Sequence, residues 1–170
     1  WNAKVGDVIS SLHPDAVFVG SGTEIPTVGR AHAQWVRGMS AFLATIKVDK
    51  KYLIGATPHI TTVEDAAQCL LNHSTNIEPC VTSVNLLNPH DLTTSMLNAD
   101  KEVSSSTGVE LIDVTNMLCT SPTRVTRVMR CPPVIDGRLV YVNGSHLTVS
   151  FTTHVESFLQ PLFHEVATHE

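Results

Sequence analysis

At 170 residues and 42% hydrophobic, the chain can bury a core of its own, and its length suits one domain rather than two. A net charge of -5 with nine histidines sets up no basic field, which excludes nucleic acid as a partner. No run approaches the roughly 18 consecutive apolar residues of a membrane span, and no charged-then-apolar leader precedes the first element. The sequence starts at Trp1 without an initiator methionine, so the expectation is a longer parent protein.

Residues 5–12 carry Val5, Val8, Ile9 and Leu12 at helical spacing, and His13-Pro14 ends the pattern. The apolar run 16–19, stopped by Gly20-Ser21-Gly22-Thr23-Glu24, reads as a buried parallel strand opening onto a loop. Trp35, Val36, Met39, Phe42, Leu43 and Ile46 form the stripe of a helix over 33–46. A strand over 52–56 then enters Thr57-Pro58-His59 and a polar loop reaching residue 80, long enough to be functional. A helix over 91–104 and a strand over 109–114 follow. Two short extended pieces, 133–135 and 139–142, flank the Asp136-Gly137 turn signal. The last helix is expected to begin near His146 and carries Val149, Phe151, Val155, Phe158, Leu159 and Leu162.

Strands alternating with helices argue for a parallel sheet with helices on both faces, and in such sheets ligands bind beyond the carboxyl ends of the strands. The loops 20–25, 57–80 and 143–148 each follow a strand and could share one crevice, with His59 on its wall. Four cysteines allow three pairings. Cys69 with Cys80 and Cys119 with Cys131 is favoured because each pair closes a short polar loop, contributing at most about 3 kcal/mol by chain entropy. Disulfides would place the domain outside the cytoplasm, whereas the alternative is four buried thiols of a cytosolic protein.

Chemistry is concentrated in Asn143-Gly144-Ser145-His146-Leu147-Thr148. A histidine at a loop-to-helix junction can act as general base for a hydroxyl, provided a partner such as Asn143 fixes its tautomer. The residues here resemble the SGNH hydrolase superfamily, and in particular the extracytoplasmic SGNH domain that follows the membrane part of acyltransferase-3 family O-acyltransferases. The resemblance rests on the order of Gly55-Ala56-Thr57-Pro58, Cys69 and Cys80, Ile112-Asp113, Cys119, Cys131-Pro132, Leu139-Val140-Tyr141 and Gly144-Ser145-His146-Leu147-Thr148. It implies an α/β fold of three layers, a flavodoxin-like parallel sheet between helices, with its N-terminal strand missing from these residues.

Carried over by position, His146 matches the family's catalytic histidine. Three departures accompany it. Asn143 stands where the family has an acid, and an amide cannot stabilise an imidazolium by charge. The family's Gly-Asp-Ser nucleophile motif is absent, since Gly6-Asp7 is followed by Val8. Gly22-Thr23, aligned with the oxyanion-hole segment, is followed by Glu24, a carboxylate that would repel an oxyanion. Asn143-Gly144 is also open to deamidation, which would convert the amide into a carboxylate.

What the resemblance implies is serine acyl transfer by an O-acyltransferase or esterase, with this chain supplying the histidine half and being inactive in isolation. The acceptor would be an envelope polysaccharide, peptidoglycan or glycolipid, and the acyl donor would be delivered by a membrane domain. The setting would be extracytoplasmic, tethered through the missing N-terminal part. The alternatives are a degenerate, noncatalytic carbohydrate-binding or interaction module and a secreted structural domain. No cofactor is implied, and no metal, because His154-Val155-Glu156 and His164-Glu165 lack a third ligand at supporting spacing. Arg124, Arg127 and Arg130 read as a solvated rim, and the two Asn-x-Ser matches at Asn72 and Asn143 as chance.

Overall fold

The computed structural model describes residues 2–20, 22, 29–60, 66–122 and 125–167. In chain order the elements are α1 (Asn2–Ser11), β1 (Ala16–Gly20), α2 (Arg30–Thr45), β2 (Lys50–Ile54), α3 (Ala66–Asn72), β3 (Thr82–Asn85), α4 (Leu92–Thr107), β4 (Glu110–Ile112) and α5 (Thr115–Leu118). Then come β5 (Val128–Cys131), β6 (Val134–Ile135), β7 (Arg138–Leu139), β8 (Tyr141–Asn143), β9 (His146–Leu147) and α6 (Val149–Ala167). The chain divides into two compact units, one formed by Trp1–Ala56, Ser95–Asp113 and Pro161–Glu170, the other by Thr57–Thr94 and Val114–Gln160.

The first unit has the α/β pattern that the alternating elements predict. Its three strands are all parallel, in the order β1-β2-β4, with Phe18 opposite Tyr52 and Tyr52 opposite Glu110. The Phe18 and Tyr52 rings stack at 4.8 Å between centroids, a cross-strand aromatic pair that fixes the register. Val36 and Leu43 of α2 pack with Leu53 of β2, Ala99 and Val103 of α4, and Val109. Trp35, Val36, Met39 and Leu43 of the α2 stripe read from the sequence thus face this core. β1 is half-buried rather than buried, and among the described residues β2 is its one neighbour in the sheet. The fully buried Asp100 accepts a hydrogen bond from Ala56 N at 3.0 Å, just beyond β2.

The second unit combines short ribbons with α3, α5 and the first part of α6. β3 pairs with β5, β6 with β7, and β8 with β9, each antiparallel. The Asp136-Gly137 signal makes the predicted hairpin: both residues take positive φ, 49° and 72°, as the tight turn between β6 and β7 requires. Two segments expected to be loop are structured. α3 lies within 57–80, and the β3–β5 ribbon joins residues 82–85 to the end of the 119–131 loop. Both are too short to show a period. The favoured cysteine pairing is present. Cys69 joins Cys80, tying α3 to a 3-10 turn at Glu78–Cys80, and Cys119 joins Cys131, tying the residue after α5 to β5. No helix among the described residues is long and apolar enough to cross a membrane.

Candidate active site

Residues 141–148 form a hairpin because of where their glycine stands. Tyr141 pairs with Leu147 and Asn143 with His146, which leaves Gly144 and Ser145 as the turn. Gly144 takes φ +40° at the first turn position, where a side chain would be strained. The register irregularity between Tyr141 and Asn143 is a bulge, a device that re-aims the side chains following it.

The pairing sets Asn143 directly across from His146, and His146 Nδ1 lies 2.6 Å from Asn143 Oδ1. An amide oxygen only accepts, so the ring donates from Nδ1, and in the neutral ring Nε2 keeps its lone pair. Among the described residues Nε2 has no other hydrogen-bond partner. Both side chains are exposed, so Nε2 is accessible to an incoming hydroxyl.

The expectation of a helix beginning near His146 is corrected. α6 starts at Val149, and Thr148 caps it: Phe151 N donates to Thr148 Oγ1 at 3.1 Å, while that hydroxyl donates to Leu139 O at 2.5 Å. The threonine oxygen satisfies a first-turn N–H that has no partner within the helix. His146 is left on β9, upstream of the cap, and its orientation comes from the hairpin rather than from a helix terminus.

His59 reaches the same turn. Thr57 Oγ1 donates to Ser145 O at 2.6 Å, and Ile60 N donates to Gly144 O at 3.0 Å. His59 N donates to Oγ1 of the buried Thr93 at 3.0 Å. The half-buried His59 ring sits with Nε2 3.9 Å from the place a Cβ on Gly144 would occupy. Two of the three loops expected to share a crevice thus meet. Of the third, Gly22 is exposed and belongs to the other unit, while Thr23 and Glu24 lie outside the described residues. The four cysteines are held in their two disulfides, neither of which joins the 141–148 hairpin.

Sequence reasoning missed Thr57, Thr93 and the Ile60 amide. The available signal was Pro58, which biases Thr57 toward an extended backbone, together with Asn143-Gly144, a hairpin signature read only as a loop. Tyr141, two positions before Asn143, is fully buried, and its hydroxyl has no partner among the described residues. Burial pushes its ionisation well above the ordinary tyrosine value. His154 pairs with Asp136 at 3.1 Å and Arg130 with Glu78 at 2.5 Å. Arg130 is therefore engaged within the ribbon unit, and Arg124 lies outside the described residues. Among the described residues no His, Cys, Asp and Glu cluster gathers to hold a metal.

The family model described as the SGNH domain fused to AT3 domains matches residues 1–161. The chain belongs to that SGNH family. No curated protein and no solved structure matches it. Membership ties the chain to acyltransferase- or esterase-type chemistry, and the parallel sheet with its helices agrees with an SGNH α/β fold.

Proposed function

We propose that this SGNH chain supplies the general base of a serine acyl-transfer site, in an O-acyltransferase or esterase acting on envelope polysaccharide, peptidoglycan or glycolipid. The observation that carries the reading is the 2.6 Å contact from His146 Nδ1 to Asn143 Oδ1, which leaves Nε2 as a base. In the cycle, Nε2 takes the proton of a serine hydroxyl as its oxygen attacks the ester carbonyl. The leaving alcohol then takes that proton, and an acyl-enzyme remains. An accepting sugar hydroxyl, or water in an esterase, next gives its proton to Nε2 as its oxygen takes the acyl group, and Nε2 returns that proton to the departing serine oxygen. No Gly-Asp-Ser occurs among the 170 residues, so the reading places the serine outside them. A membrane domain would deliver the acyl donor, consistent with a family fused to AT3 domains. The two disulfides support an extracytoplasmic setting.

Asn143 supports a second reading, a noncatalytic glycan-binding module that keeps the fold. An amide orients the imidazole but leaves the imidazolium without a counter-charge, and in serine proteases the corresponding Asp-to-Asn change lowers turnover by about 10⁴. Acetyl-ester turnover by the full-length protein separates the two. His146→Ala is expected to abolish turnover and Asn143→Asp to raise it. Equal turnover by the parent and His146→Ala would remove His146 as the base.

A further inference from the structure

The hairpin that carries Asn143 and His146 is short and bulged, buried at Tyr141 but exposed at Asn143 and His146, and two-stranded ribbons of this kind are marginal on their own. The histidine needs a fixed aim, so something must immobilise the turn. Its two carbonyls, Gly144 O and Ser145 O, are each taken by a donor from residues 57–60. That segment is itself anchored, through His59 N, on the buried hydroxyl of Thr93. Each link joins one named atom to the next, from Thr93 to His59, from Ile60 to Gly144, and from Thr57 to Ser145, the residue immediately before His146.

We infer that residues 57–60 are a clamp that sets the aim of His146, with Thr57 its positioning residue. The inference rests on the reading of His146 as the base. The two donors act differently. Ile60 contributes a backbone N–H that any residue except proline would supply, so it carries no side-chain requirement. Thr57 contributes a hydroxyl, and that bond disappears when the side chain changes. Losing it frees Ser145 to rotate its carbonyl and lets the His146 ring leave Asn143. Nδ1 then no longer holds the proton preferentially, and part of the population presents Nε2–H, which cannot accept a proton from a hydroxyl. Thr57 touches neither the reacting hydroxyl nor the ester, and acts only through the turn. The His59 ring lies beside the turn, Nε2 3.9 Å from the place a Cβ on Gly144 would occupy.

The test compares Thr57→Val, which keeps the shape and loses the donor, with Thr57→Ser, which keeps the donor. The readouts are the ¹⁵N-detected tautomer of His146 in this chain and acetyl-ester turnover by the full-length protein. Thr57→Val is expected to shift His146 from Nδ1–H toward Nε2–H and to lower kcat about tenfold with KM unchanged, as the loss of one hydrogen bond implies. Thr57→Ser is expected to restore both. An unchanged tautomer and kcat in Thr57→Val would overturn the clamp while leaving His146 as the base. A parent protein whose His146 is not Nδ1-protonated would overturn the underlying reading and the clamp with it. If Thr57→Val does not fold, the parent decides: a nuclear Overhauser contact between the His59 ring and Gly144 supports the seated clamp, and its absence overturns it.

Discussion

The two units solve the same problem with different means. The first holds together as sheet proteins usually do, with three parallel strands and an apolar cluster in which Leu53, Ala99 and Val103 are fully buried. It contains none of the four cysteines. Among the described residues the second pairs its strands as two-stranded ribbons beside α3, α5 and the first part of α6, and holds both disulfides and a series of hydroxyl-to-carbonyl bonds from Thr57, Thr94 and Thr148. Covalent links and local polar bonds substitute there for a wide sheet. The difference teaches where a histidine can be placed: the His146 ring is exposed beside a ribbon turn whose carbonyls are held by donors from residues 57–60.

The comparison can be broken most severely in the first unit. Leu53→Ala should cost about 2–5 kcal/mol in chemical denaturation, because a fully buried side chain leaves a cavity. Next, replacing Cys69 and Cys80 with alanine should cost about 2–4 kcal/mol. Hydrogen exchange should locate that loss in the ribbon unit, with the amides of β1, β2 and β4 keeping their protection. A uniform loss across both units would erase the distinction drawn between them. Thr148→Ala should cost about 1 kcal/mol by removing the cap of α6, read as a lower melting temperature.

The smallest effect at neutral pH belongs to Tyr141. Its hydroxyl is buried without a partner among the described residues, so Tyr141→Phe should change stability by less than about 1 kcal/mol. At high pH the sign is fixed by linkage. Tyrosine in the unfolded chain ionises near pH 10, whereas burial raises the folded value above that. The native state then binds more protons than the unfolded one. Stability is fully present below about pH 10 and falls as pH rises toward the folded value. Melting curves from pH 8 to about 11 should show this loss in the parent and a smaller one in Tyr141→Phe.

The sequence was legible where residues recur at a period. The stripes of α2 and α4, the runs of β1 and β2, and the Asp136-Gly137 turn all follow from spacing and turn chemistry. α3, β3 and β5 did not show themselves, since elements of seven, four and four residues hold too few turns or alternations to stand out from loop. Their order comes from pairing and disulfides between residues distant in sequence. At the candidate site, the Asn143 and His146 pair could be anticipated from a three-residue spacing, although its cause was misassigned to a helix start. Thr148 looked like part of the helix, when its hydroxyl marks the boundary. Thr57 gave no sign of its role, because its partner, Ser145 O, lies 88 residues away.

The direct measurement is the protonation pattern of the His146 ring in the parent protein, read from long-range ¹⁵N–¹H spectra at a pH where the ring is neutral. The account predicts a proton on Nδ1 that Asn143→Ala releases to faster exchange, with Nε2 unprotonated. A ring carrying its proton on Nε2, or one unaffected by Asn143→Ala, would contradict it.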